Sequence, residues 1–273
     1  MNSEEKYADL HLHTNFSDGS YTVEELIAQS LKNNLSVISI TDHDTVDGIK
    51  PAMEVAEGFL EVLSGIELSA EYGGKELHIL GYLIDYENEE LKNKLEVLKN
   101  NRIKRIYTIT DKLKKLGVDL NPQTVFSLGG AGTVGRLHIA QALLKEGKVA
   151  SIQEAFYKFI ADNRPAYVAG FKFSPEEAIK TIKNAGGIPV LAHPYTINDE
   201  ELILGLTGCG LMGLEVYYPE HSQSMVNFYS RFCEKYGLLM TGGSDSHGSL
   251  KPEITVGCIK IPYELVEKLK QAK

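Results

Sequence analysis

The sequence predicts an α/β barrel interrupted by a helical insertion, and three observations carry that expectation. Short apolar strands alternate with amphipathic helices over residues 1–85 and again over 173–273, about seven or eight units in all. That alternation is the signature of a parallel sheet, and this many units favours a closed barrel. Residues 86–172 read instead as helix after helix, so they form an insertion domain between two barrel strands. Histidines and carboxylates recur where the strands end, the face on which βα barrels build their sites.

Taken in order, Ala8 to His13 is the first strand. Thr22 is placed as the N-cap of a helix, Glu25 completes a capping box, and Val23, Leu26, Ile27 and Leu31 fall on one helical face. Leu35 to Thr41 is rich in β-branched residues and reads as the second strand, followed by a helix over Gly48 to Gly58. Strands follow at Leu60 to Leu68 and Glu76 to Leu83. The insertion opens on a long helix, Glu90 to Gly117, with further helical stretches at Thr133 to Glu146 and Ile152 to Ile160. Ser174-Pro175-Glu176-Glu177 is a strong helix start and Gly186-Gly187 closes that helix. Ile188 to Ala192, Leu211 to Tyr217, Leu238 to Gly242 and Thr255 to Ile261 are the remaining strands.

The composition narrows the function only a little. A net charge of -9 argues against a general nucleic-acid coat, although bound divalent ions would reverse the sign locally and admit an anionic substrate. Cys209, Cys233 and Cys258 show no paired spacing, which fits free thiols in a reducing compartment. The polar, acidic start (Met1 to Asp9) does not read as a signal peptide, and no apolar run approaches the roughly 20 residues of a membrane span. The expectation is a cytoplasmic protein without a membrane association, and nothing in the sequence marks a stable protein partner.

His11-Leu12-His13 is the strongest local signal. Positions i and i+2 of a strand share a face, so both imidazoles reach one ion, and Asp18 follows in a turn just beyond. His43 ends the second strand in Thr41-Asp42-His43-Asp44, Glu67 ends the third, and His78 lies within the fourth. His193 follows the next strand, and Asp245 and His247 close the seventh. A lone histidine such as His78 is more often a core residue, but strand ends repeatedly carrying His, Asp or Glu point to metal. Imidazole and carboxylate without thiolate suit Zn, Mn, Fe or Mg, and nine candidate ligands exceed the needs of one ion. Two or three ions sharing a bridging carboxylate point to hydrolysis of a phosphate ester, with a metal-bound hydroxide as nucleophile attacking phosphorus in line.

These residues resemble a known family. Asp9-Leu10-His11-Leu12-His13-Thr14, Thr41-Asp42-His43-Asp44, Ala192-His193-Pro194 and Gly243-Ser244-Asp245-Ser246-His247 are similar, in order along the chain, to the motifs of the PHP (polymerase and histidinol phosphatase) superfamily. The resemblance implies a distorted (β/α)7 TIM-like barrel, the PHP fold, with three divalent ions, Mn²⁺ first and Fe²⁺, Zn²⁺ or Mg²⁺ as alternatives. It further implies one ion on His11, His13, Glu67 and Asp245, a second on Glu67, His78 and His193, and a third on Asp18, His43 and His247.

Two segments resemble one branch of that superfamily, the nucleoside 3′,5′-bisphosphate phosphatases, some of which trim short RNA as 5′–3′ exonucleases. In Gly135-Arg136-Leu137-His138-Ile139-Ala140, Arg136 and His138 would anchor a second phosphate, although a helix start with a solvated arginine reads the same way. In Leu214 to Ser222, His221 is either an acid toward the leaving group, a phosphate anchor, or an ordinary loop histidine. Lys92 to Lys115 holds nine basic residues opposed only by Glu96 and Asp111. Most of these belong to a solvated helix face, with Arg102 and Arg105 the exceptions expected to meet substrate. The expected substrate is a small phosphorylated nucleotide such as 3′-phosphoadenosine 5′-phosphate, or a short 5′-phosphorylated oligonucleotide. The alternatives are a histidinol-phosphate phosphatase and, in another class, a polymerase-associated accessory or structural metal-binding module.

Overall fold

A computed structural model describes residues 5–129, 134–170 and 172–273. In chain order the first elements are β1 (Tyr7–Leu12), α1 (Val23–Lys32), β2 (Val37–Ile40), α2 (Ile49–Ala56), β3 (Glu61–Tyr72) and β4 (Lys75–Tyr82). The insertion contributes α3 (Glu89–Lys115), α4 (Pro122–Gly129), α5 (Arg136–Lys145) and α6 (Ile152–Ala155), the last running into a π-helical turn, Phe156–Ile160. The chain then returns through α7 (Pro175–Asn184), β5 (Ile188–Leu191), α8 (Glu200–Gly208), β6 (Gly213–Tyr217), α9 (Gln223–Tyr236), β7 (Leu239–Gly242), β8 (Ile261–Pro262) and α10 (Tyr263–Gln271). Thr133, where the sequence pattern starts the second insertion helix, lies outside the described residues.

The local chemistry explains the helix starts. Thr22 and Glu25 form the capping box expected of α1, and Ser174 and Glu177 form one at α7, whose first residue is Pro175. Each pairing satisfies two backbone N–H groups that a helix start otherwise leaves bare.

The eight strands form one sheet in the order β7-β6-β5-β4-β3-β2-β1-β8. It nearly closes into a barrel where the segment after β7 meets β1. There Asp245 N–H donates to His11 O at 2.8 Å and His13 N–H donates to Ser246 O at 3.2 Å. Strands β1 to β3 run parallel, as do β5 to β7, but β4 is antiparallel to both its neighbours. The parallel sheet that the alternation favours is thus broken at β4, and again at β8, which pairs antiparallel with β1. At β4 the cause is the Gly73–Gly74 turn, whose φ values of 58° and 80° make the two-residue hairpin that folds β4 straight back along β3. The predicted strand over Thr255 to Ile261 also shrinks to Ile261–Pro262. Gly257 turns the chain with φ 73° while its N–H donates to the buried Asp9 carboxylate at 2.8 Å.

The apolar side chains divide into separate clusters. The barrel cluster takes in Leu91, Leu95 and Leu98 from the first half of α3. The second half, with Ile106, Ile109 and Leu113, packs instead against Val125, Ile139 and Leu143 of the insertion. One long helix therefore belongs to both cores and sets the insertion over the barrel rim. Among the described residues no helix is long and apolar enough to cross a membrane.

Candidate metal centre

The rim of the barrel gathers the nine predicted histidine and carboxylate side chains into one cluster. His11 and His13 leave β1 on the same side, ring centroids 5.2 Å apart, and both are fully buried. His11 Nε2 lies 3.1 Å from Glu67 Oε2 and 3.5 Å from Asp245 Oδ1. His13 Nε2 lies 3.2 Å and 3.0 Å from the same two oxygens. The other Glu67 oxygen, Oε1, meets His78 Nδ1 at 2.8 Å and His193 Nε2 at 3.2 Å. Asp18 faces His247 at 3.3 Å and His43 at 3.8 Å, and His43 Nδ1 approaches Glu67 Oε2 at 3.4 Å.

His78 reaches this rim for a reason the strand-end pattern did not include. It lies near the start of β4, and only the reversal of that strand brings its start level with the C-terminal ends of the others. Glu67 likewise sits within a longer β3 than expected, at the point where His43 bridges to it and the hairpin continues upward.

The donor set fits divalent cations. Three groups, His11-His13-Glu67-Asp245, His13-Asp18-His43-His247 and His43-Glu67-His78, each bring their ligand atoms within 4.8 Å of one another. Neither ring nitrogen of His13 has a hydrogen-bond partner, although carboxylate oxygens stand close to Nε2. Such close but misaligned approaches arise when lone pairs converge on a shared point rather than on each other. Burial alone would lower the pKa of His13, yet Asp245 and Glu67 outweigh it and raise the pKa to about 9. The same carboxylates are held well below their ordinary range by the surrounding imidazoles, against the opposing effect of burial. Three residues of the cluster's loops, Asp44, His193 and Asp245, hold left-handed φ values of 52°, 27° and 55°, backbone strain of the kind that concentrates at functional sites.

Behind the cluster stand residues to which the sequence pattern gave no part in the metal centre. Asp42 accepts the Thr14 N–H at 2.7 Å and hydroxyls from Thr14 and Ser17, which fixes the loop leading to Asp18. Tyr218 OH donates to Asp245 Oδ2 at 2.9 Å, and the buried Glu215 contacts both His11 and the backbone of His193. Asp42, Glu215 and Tyr218 lie inside the quoted motifs, but their roles depend on contacts across the barrel.

The insertion faces the cluster across a cavity of about 250 Å³. Asp18, His43 and His78 line its barrel side; Arg102, Arg105, Arg136, His138 and Lys172 line the other. Arg136 reaches Asp162 at 2.6 Å and Glu76 at 3.5 Å, and Lys172 reaches Glu76 at 2.7 Å. Arg105 donates through Nε to Val168 O at 2.8 Å and has no ion-pair partner among the described residues. Burial and the neighbouring Arg136 and Arg102 pull its pKa down to about 10, the mark of crowded positive charge. Arg102 is committed elsewhere, to the buried Asp44 carboxylate and the Ser69 hydroxyl. His138 Nδ1 accepts the Gly135 N–H at 3.1 Å, so the proton of its neutral ring is on Nε2.

His221 lies outside that cavity. Its ring packs among Tyr195, Tyr218 and Tyr229, and Nδ1 lies 2.8 Å from Val216 O, which leaves Nε2 as an acceptor. Burial also lowers its pKa.

Comparison with known proteins agrees with this geometry. The family profile for the PHP domain matches residues 9–167, more than half of the chain. The chain belongs to the PHP family. Among curated PHP relatives, a 5′-3′ exoribonuclease of Haemophilus influenzae is 31% identical over 89% of this chain and 90% of its own. A phosphoribosyl 1,2-cyclic phosphate 1,2-diphosphodiesterase of Eggerthella lenta is 30% identical over 88% and 94%. A 3′,5′-nucleoside bisphosphate phosphatase of Chromobacterium violaceum is 29% identical over 88% and 86%. A crystal structure from Bifidobacterium adolescentis, described as a metal-dependent phosphoesterase, superposes with a TM-score of 0.88 at 29% identity, covering 98% of this chain and 96% of the other. The PHP chain described here is accordingly a hydrolase of phosphate esters that works with divalent metal.

Proposed function

We propose that this PHP phosphoesterase removes one phosphate from nucleoside 3′,5′-bisphosphates, and that it also accepts short 5′-phosphorylated RNA. The observation that carries this reading is the placement of Arg105, Arg136 and Lys172 across one small cavity from the histidine–carboxylate cluster. A substrate with two phosphates fits both walls at once, one group at the cluster and the other at the cationic wall. A substrate with one phosphate leaves Arg105, which has no ion-pair partner among the described residues, without an anion.

Three divalent ions, Mn²⁺ first, are proposed for the three side-chain groups, with His193 joining Glu67 and His78. When bound, such ions supply an activated water and positive charge at the attacked phosphoryl group. The protein's own part is to hold and orient. Arg136 clamps the second phosphate with its guanidinium fork, Lys172 and Arg105 add charge, and His138 donates through Nε2. Arg102 holds the insertion to the loop after β2 by way of Asp44, a tether between barrel and cap. His221, with Nδ1 on Val216 O and outside the cavity that holds the cations, is given no step in this proposal.

The test is hydrolysis of a panel of 3′-phosphoadenosine 5′-phosphate, AMP, histidinol phosphate, a ribose 1,2-cyclic phosphate and a short 5′-phosphorylated RNA, with Mn²⁺ and with chelator, read as phosphate release from the monoesters and by chromatography of the ring-opened sugar phosphate and of the mononucleotides released from RNA. Chelator-sensitive preference for the bisphosphate is expected. Preference for the cyclic phosphate or for histidinol phosphate would keep the metal chemistry and overturn the substrate.

A further inference from the structure

We infer that Glu215 is a positioning residue that ties two of the ion sites together, an inference that rests on the metal-centre reading above. Glu215 projects from β6 into the barrel and has no exposed surface. Its two oxygens divide their work. Oε1 lies 2.8 Å from His11 Nδ1, and Oε2 accepts the backbone N–H of His193 at 2.8 Å.

The first contact sets a tautomer. Among the described residues no lysine or arginine lies within ion-pair reach of Glu215, and the side chain that its carboxylate meets is His11, at Nδ1. A carboxylate on Nδ1 keeps the proton there and leaves the Nε2 lone pair toward Glu67 and Asp245. The second contact sets a backbone pose. His193 holds φ 27° and ψ 62°, an unfavourable conformation for a side chain with a Cβ, and its N–H has Glu215 as acceptor. That pose directs His193 Nε2 to Glu67 Oε1 at 3.2 Å. One buried carboxylate therefore orients His11 of the His11-His13-Glu67-Asp245 group through its ring, and His193, beside Glu67 and His78, through its peptide.

Glu215→Gln separates these roles from simple packing. The amide keeps the volume but has one acceptor oxygen: held on the His193 N–H, it turns the NH₂ toward His11 Nδ1, a contact that His11 makes only as the Nε2–H tautomer, which has no lone pair for an ion. The experiment titrates chelator-stripped protein with Co²⁺, following the visible absorption bands and the number of ions bound, beside thermal unfolding of the metal-free protein. The expected result is binding weakened about 10- to 100-fold, with more than one ion affected and altered absorption bands. A Glu215→Gln titration that matches wild type overturns the inference, as does loss confined to a single ion. If Glu215→Gln does not fold, Glu215→Asp is read in its place. It keeps the charge but is one methylene short, so wild-type binding there overturns the role and weakened binding at more than one site supports it. A wild-type chain that binds no Co²⁺ overturns the metal-centre reading itself, which distinguishes that failure from one confined to Glu215.

Discussion

Glu67 Oε1 and His78 Nδ1 meet at 2.8 Å across the β3–β4 hairpin, two strands that run in opposite directions. The contact depends on the reversal of β4, and it gives Glu67 a second side to serve, because its other oxygen already faces His11 and His13. His78→Ala should therefore weaken the group on that side while leaving the His11-His13-Asp245 group able to bind. The expected outcome is a lower ion count with partial occupancy retained, read by elemental analysis after dialysis against limiting Mn²⁺.

Metal uptake should be coupled to protons. Burial lowers the pKa of both His13 and His78, but Asp245 and Glu67 raise the former to about 9, and Glu67 and Glu76 raise the latter to about 10. These folded values lie above the ordinary 6.5, so in metal-free protein their stabilisation is present in full below about pH 6.5 and lost as pH climbs through 9 to 10. An ion needs the neutral rings, so binding near neutral pH must displace those protons. Apparent Mn²⁺ affinity should rise steadily from about pH 6 to about pH 8.5, measured by calorimetry in buffers of different ionisation heat. Affinity independent of pH, with no proton release, would contradict this arrangement.

Arg136 should act on substrate choice rather than on chemistry. Losing a charged hydrogen-bonding partner for the second phosphate costs about 1.5–3 kcal/mol, or roughly 10- to 100-fold. Arg136→Ala is expected to lower kcat/KM for a nucleoside bisphosphate by that factor and for a single-phosphate substrate by less than about threefold. Equal losses on both would mean that Arg136 supports the fold of the insertion, through Asp162 and Glu76, instead of the substrate.

Arg102 tethers the insertion to the barrel. Asp44 is almost wholly buried and takes both the Arg102 guanidinium and the Ser69 N–H, the latter at 2.9 Å. Arg102→Ala strands that carboxylate and should cost about 3 kcal/mol in chemical denaturation. Replacing both partners, Arg102→Met with Asp44→Asn, should recover part of the loss.

Much of the fold and of the candidate site was legible because its signals are local. Alternating strands, two capping boxes and His11-Leu12-His13 all depend on spacings of a few residues. What escaped depends on contacts across the barrel. The reversal of β4 was written in Tyr72-Gly73-Gly74-Lys75, a hairpin signal that the alternation of strands and helices overrode. Thr255 to Ile261 carries a strand-like pattern, yet Asp9, far away in sequence, captures the Gly257 N–H and bends the chain. Glu215 is one glutamate on a short strand, and no spacing marks it; only the closed barrel brings it against His11 and His193. The sequence pattern also leaves helices α4, α8, α9 and α10 unassigned.

Glu67 touches more of the cluster than any other side chain described above, which makes it the place to test the central claim that this hydrolase works through a shared metal centre. The measurement is Mn²⁺ content and phosphate release from 3′-phosphoadenosine 5′-phosphate for Glu67→Gln beside wild type. Glu67→Gln should lose the bound metal from more than one group and, with it, the hydrolysis. Wild-type metal content together with wild-type turnover in Glu67→Gln would contradict that claim.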